Sequence, residues 1–211
     1  MFTIVLVSQS SRADVTPAYL ALVAAAVTEQ CLAFAADYGL AAWTVTTAPT
    51  PGAFTMAIAD TSTVPGAEGY HDDSAPGEEP EGYAFALGTL DDLSVTISHE
   101  CLELIRDQDA SGFRLSNSGV AYADEACDAV EDQTYKASNG VPLSDYVLPS
   151  WYVDGSAGPW DKLGVLSGPH TKTAGGYTIQ LADGKVGTDP PSARLAPKKA
   201  DPRSRTSRRL A

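Results

Sequence analysis

The sequence predicts an α+β domain in which two helices pack on one mixed β-sheet. Short β-branched runs are interleaved with two stretches of helical periodicity. Their order is strand, helix, three strands, helix, then irregular chain. Apolar residues make up 44 % of the 211, enough for one domain with a real core. That domain is assigned to residues 1–185, and a basic Pro/Arg-rich flexible tail to 186–211.

The elements follow in order. "FTIVLVS" (2–8) reads as a buried first strand. Thr16 and Pro17 form a helix start, the threonine as cap and the proline as first helical residue. The helix runs to about Tyr38 and stops at Gly39, with Leu20, Val23, Ala24, Val27, Cys31 and Phe34 recurring at three or four. Residues 42–48 and 53–60 are strands on either side of "PTPG". Residues 61–82 form a long Gly/Pro/acidic loop, of a length that is usually functional or disordered. A fourth strand spans 83–89, and the second helix begins near Asp91 or Asp92. Beyond it, 108–119 is loop, and 120–132 is a short helix or an irregular turn. Residues 134–152 are hairpin-like around Asn139-Gly140. Residues 154–176 are Gly-rich loop, and a last hairpin turns at Asp183-Gly184.

Charge narrows the function classes. The net charge is −13, yet residues 194–211 hold Arg194, Lys198, Lys199, Arg203, Arg205, Arg208 and Arg209 against Asp201 alone. The strongly acidic body disfavours nucleic acid and suits cations or basic surfaces. Nucleic acid or a neighbouring acidic subunit is reachable only through the basic tail. No unbroken apolar run of about 18 residues exists, so no membrane span is expected. Met1 leads straight into "FTIVLVS" with no basic start, so no signal peptide is expected. Three cysteines do not make a disulfide framework. Cys31 reads as core; Cys101 and Cys127 lie in segments that face each other and could pair, with reduced and buried the expected state. The P-loop, nucleophile-elbow and C-x-x-C motifs are all missing.

The chemistry concentrates in "SVTISHECLELIRD" (94–107). His99 and Glu103 are four apart, so both leave one helix face and can reach one ion. Glu100 is turned from them by roughly 60–100°. That places its carboxylate beside the ion, where a general base acts on a metal-bound water. A solvated amphipathic face has the same polar sector, so the pattern alone fits both readings. A catalytic zinc site takes three protein ligands, and the helix supplies two. Glu125 and Asp128 in "ADEACDAVED" are the sources of a third, with Asp128 preferred. The other of the pair would orient His99. His71 in "GYHDD" is a further ligand candidate, or a cation near the cleft.

Four strings occur in order: "GAEGYHDD" (66–73), "SVTISHECLELIRD" (94–107), "DEACDAVED" (124–132) and "DYVLPSWY" (145–152). Together they resemble a family found in tailed bacteriophages and bacterial genomes. Its members are similar to zincins and carry S-H-E-x-x-E, then E-x-C-D, then an aromatic-V-x-P-x-W/F segment. The resemblance covers roughly residues 60–180. It implies a zincin-like mixed sheet with a backing helix and an HExxE helix on one side, followed by an irregular C-terminal part. It marks Glu100 as base and His99, Glu103, Glu125, Asp128 and His71 as metal-site residues, with a divalent cation such as zinc as cofactor. Glu103 stands where zinc peptidases have histidine, so the donor set is one imidazole and two carboxylates, a harder site. Two functions follow as expectations. One is a metal-dependent peptidase acting on a peptide or protein. The other is a non-catalytic virion subunit, of the head or tail, whose 194–211 tail docks on neighbouring subunits. The corresponding location is a phage virion or the host cytoplasm.

Overall fold

The computed structural model describes residues 1–62, 64, 66–71, 81–108 and 110–190. Among them are two α-helices and three β-sheets, an α+β arrangement. The tail at 194–211 and the Asp72-Asp73 end of the acidic loop lie outside the described residues.

The main sheet contains β1 (Phe2–Ser8), β2 (Trp43–Thr46), β3 (Phe54–Ala59), β4 (Gly69–His71) and β5 (Gly82–Phe85), in the order β2-β1-β3-β5-β4. The first four in that order run parallel, and β4 joins the edge antiparallel to β5. Alternate residues Ile4, Leu6, Trp43, Val45, Phe54, Met56 and Ile58 enter one core with residues of both helices. The two-residue period of a strand puts them on one face. The helices α1 (Pro17–Tyr38) and α2 (Leu90–Arg106) pack against each other and against the sheet.

Local chemistry fixes the helix ends. The Thr16 hydroxyl accepts the Tyr19 N–H, Pro17 opens α1, and Gly39 closes it at φ 65°, a left-handed position that glycine adopts without strain. By length and composition α1 could cross a membrane, with mean hydropathy 1.6 over 18 residues. This departs from the expectation from unbroken runs, because Thr28, Glu29 and Gln30 interrupt the alanine-rich stretch without lowering its average far. Half of that window is buried within the fold, where Val23, Val27, Cys31 and Phe34 belong to the core. Helix α2 starts at Leu90, just before the expected Asp91, because Thr89 and Asp92 cap each other reciprocally.

Two expectations of loop are corrected. Residues 69–71 form β4 within the Gly/Pro/acidic stretch, and 113–115 form β6 within "QDASGFRLSNSG". Both are three-residue strands defined only by antiparallel pairing, with 82–84 and 121–123 respectively, and are too short to show alternation. The second sheet has the order β11-β10-β7-β6, from β6 (Phe113–Leu115), β7 (Ala121–Ala123), β10 (Thr178–Ala182) and β11 (Lys185–Asp189). The β10–β11 hairpin turns at Asp183-Gly184, and β11 runs past the expected domain edge at 185. The hairpin of β8 (Thr134–Lys136) and β9 (Pro142–Ser144) turns over Gly140 at φ 85°. The segment 120–132 is neither one helix nor one irregular turn: β7 gives way to a 3-10 turn, Asp128–Val130. The cysteines are free and buried.

Candidate metal centre

Helix α2 places His99 and Glu103 on one face, and their side chains meet: His99 Nε2 lies 3.3 Å from Glu103 Oε1. The 3-10 turn brings Asp128 to the same nitrogen, with Oδ1 at 3.4 Å. Two hydrogen bonds hold the turn there. Cys127 N–H donates to Glu103 Oε1 at 3.2 Å, and Val147 N–H donates to Ala126 O at 2.7 Å. Asp128 O in turn accepts Tyr177 N–H at 2.9 Å. Glu103 and Asp128 are each 3 % exposed.

These three residues fit a cation. A tetrahedral ion with bonds of about 2.05 Å holds its ligand atoms roughly 3.3–3.4 Å apart. The observed separations from His99 Nε2 match that edge. One donor atom from each of His99, Glu103 and Asp128 lies within 4.8 Å of the other two. One imidazole and two carboxylates form a zinc-compatible set, harder than the donor set of a classical zinc peptidase.

Glu100 sits next to this group and differs from it. Its side chain packs against the backbone of β4, where a Cβ on Gly69 would lie 2.6 Å from Glu100 Oε1. Oε2 turns inward, is buried, and accepts no hydrogen bond. His71, the last residue of β4, presents Nδ1 to Glu100 Oε2 at 3.8 Å and to Glu103 Oε2 at 3.9 Å. The other ring nitrogen, Nε2, is 3.2 Å from Asp107 O. A carbonyl only accepts, so that nitrogen carries the proton. Asp107 is itself fixed as the C-cap of α2, its carboxylate accepting Ser111 and Gly112 N–H groups.

The electrostatics are those of crowded, buried carboxylates. Burial opposes charge on His99, but the nearby Glu103, Cys127 and Asp128 outweigh it and hold the imidazole well above its ordinary pKa. Burial pushes Glu103 above the usual carboxylate range. The His99 charge pulls it back, and Asp128 and Glu125 push it further up. A divalent ion would supply the positive charge that balances such a cluster.

The sequence-derived residues thus separate into two groups. His99, Glu103 and Asp128 converge, as do His71, Glu100 and Glu103. Glu125 belongs to neither group; its peptide carbonyl accepts the Tyr152 hydroxyl at 3.4 Å, and its charge acts on Glu103 from a distance. Tyr177 was not anticipated. It lines a cleft of about 80 Å³ together with Gly66, Gly69, Thr96, His99, Glu100 and Glu131. Burial, followed by the charges of Asp128, Glu131 and Glu103 and a hydrogen bond to Asp128, raises its pKa well above the ordinary value, so it stays protonated beside that carboxylate. Its position in "GGYTIQ", remote from the motif helix, carries no local signal of that role. No family model, curated protein or solved structure matches the chain, so the chemistry rests on the geometry of these residues.

Proposed function

We propose that the protein is a zincin-like, metal-binding domain that hydrolyses peptide bonds, with Glu100 as general base. The observation that carries this reading is the convergence of Glu103 and Asp128 on His99 Nε2 at 3.3 and 3.4 Å, with Glu100 beside them at the cleft. The order of elements supports it too: a backing helix, a sheet, then the motif helix.

His99, Glu103 and Asp128 would hold the ion. When bound, it supplies a Lewis acid that polarises a carbonyl and acidifies water. The remaining roles fall to the chain itself. Glu100 Oε1, beside Gly69, accepts the proton of the attacking water and passes it to the leaving amine. Tyr177 donates its phenolic hydrogen to Asp128 and so orients that carboxylate. Strand β4 is the last strand of the sheet among the described residues, and its Gly69 borders the cleft.

The test is metal analysis of the purified full chain alongside His99→Ala and Glu100→Gln. The wild type should carry stoichiometric divalent metal, and His99→Ala should lose it. Glu100→Gln should keep the ion held by His99, Glu103 and Asp128 and lose turnover of a mixed fluorogenic peptide library by roughly 10²–10⁴-fold, the usual contribution of a general base. A metal content unchanged by His99→Ala would remove the basis of the reading.

A further inference from the structure

We infer that a second divalent cation binds beside the first, between His71, Glu100 and Glu103, with Glu103 as the carboxylate shared by both. The inference rests on the metal-site reading above and adds to it a separate ion position.

Glu103 is the starting point. Its two oxygens face different partners: Oε1 belongs to the His99 and Asp128 group, and Oε2 faces His71 Nδ1 at 3.9 Å. A carboxylate has lone pairs enough for both directions. Glu100 gives the second line of support. The residue is 5 % exposed, and its buried Oε2 accepts no hydrogen bond. An ionised oxygen in that setting is costly unless a cation neutralises it.

One ion at His99 does not meet that need. Its two charges are balanced by Glu103 and Asp128, and the buried Glu100 Oε2 is left without a hydrogen-bond partner. His71 is the only nearby group of opposite potential charge among the described partners of Glu100. Its Nδ1 stands 3.8 Å from Glu100 Oε2, well beyond the roughly 2.7–2.9 Å of a charge-assisted hydrogen bond. That separation still lets both atoms touch one ion through bonds of about 2.0–2.4 Å.

The tautomer fits as well. Asp107 O takes the Nε2 hydrogen, so a neutral His71 offers the Nδ1 lone pair towards Glu100 and Glu103. A cation between Nδ1 and the two carboxylates would satisfy all three donors. One donor atom from each of His71, Glu100 and Glu103 lies within 4.8 Å of the other two. One imidazole and two carboxylates suit a borderline-to-hard ion such as Mn²⁺ or Zn²⁺. Glu100 then divides its work. Oε2 reaches the second ion, and Oε1, beside Gly69, remains for proton transfer.

The experiment uses the full chain, stripped with chelator and titrated with Mn²⁺ alone. Bound manganese is counted after gel filtration, and its low-temperature electron paramagnetic resonance spectrum is recorded. Two ions per chain with a spin-coupled spectrum are expected, because one carboxylate bridges them. His71→Gln should reduce the count to one and restore an uncoupled six-line spectrum. One ion in the wild type, unaffected by His71→Gln but lost in His99→Ala, overturns the second position and leaves the first standing. Two uncoupled ions overturn the Glu103 bridge. No bound ion in the wild type overturns this inference and the metal-site reading together. The wild-type count decides the matter even if a variant folds poorly.

Discussion

A methyl group at position 69 has nowhere to go. It would stand 2.6 Å from Glu100 Oε1, 2.7 Å from Glu100 Cγ and 2.8 Å from Thr96 Cγ2. Either β4 or the Glu100 side chain must shift. Gly69→Ala is therefore expected to cost peptide turnover by at least about 100-fold, as loss of an aligned general base does. An ion at His99 would be held by other side chains, and metal content should stay unchanged. Metal analysis next to a turnover assay separates the two effects; loss of the His99 ion in this variant would show that Gly69 supports the ligands and not the base. A second residue-scale prediction concerns Asp145, which is fully buried beside the equally buried Asp161. Burial raises its pKa to about 7, and Asp161 adds to the rise against a backbone N–H from Tyr146. The folded pKa lies above the unfolded one, so the folded state binds more protons between roughly pH 4 and 7. Stability therefore falls as pH rises through that window and levels off above it. Asp145→Asn keeps the oxygen that accepts the Tyr146 N–H and removes the charge. It should raise unfolding free energy at pH 8 by up to about 3 kcal/mol, with little change at pH 4. Denaturant titrations at the two pH values check this; equal effects at both would refute it.

The motif helix is held in place by its contact with β9 as much as by its own caps. Ser98 Oγ accepts the Ser144 N–H at 2.8 Å, Ser94 Oγ donates to Pro142 O at 2.8 Å, and Gln30 Nε2 of α1 donates to Ser144 O at 2.7 Å. Ser98→Ala strands a fully buried N–H and should cost about 1–3 kcal/mol. A lower urea midpoint at unchanged slope is the expected record. An unchanged midpoint would mean that the hairpin contributes nothing to seating α2. The serines in "SVTISHE" could be read as helix polar positions, but not as the anchors of a hairpin some 45 residues on. The same limit runs through the fold. Thr16, Pro17 and Gly39 announce α1 because capping is local chemistry. His99, Glu100 and Glu103 were legible because helical spacing is local too. Asp128 was legible as a residue type but not as a position, since the hydrogen bond from Cys127 N–H to Glu103 is what aims the turn. β4, which delivers His71 and makes room for Glu100, escaped notice because its three residues are a strand only by pairing with β5.

At the scale of the molecule, an acidic chain of net charge −13 gathers Glu100, Glu103 and Asp128, all nearly buried, around His99 and His71. Folding brings these acidic groups together, and a bound cation would make the arrangement favourable. Binding that favours the folded state adds stability by mass action, about 2.7 kcal/mol when free metal is at 100 times its dissociation constant. For a domain of this size that corresponds to a melting shift of roughly 5–10 °C. Chelation should lower the melting temperature by that amount, and zinc added back should restore it. The direction of the pH dependence follows from the metal-free site. His99 and Glu103 both have raised pKa values there, so protons occupy positions that the ion must take. Metal binding at neutral pH then releases about one proton or more per ion, and affinity weakens about tenfold per pH unit for each proton displaced. The chelation shift should accordingly shrink from pH 8 to pH 5. Calorimetric titration with zinc in two buffers of different ionisation enthalpy reads the proton count directly. A melting temperature indifferent to chelator at pH 8, or binding without proton release, would show that the carboxylates around His99 are stable without a cation.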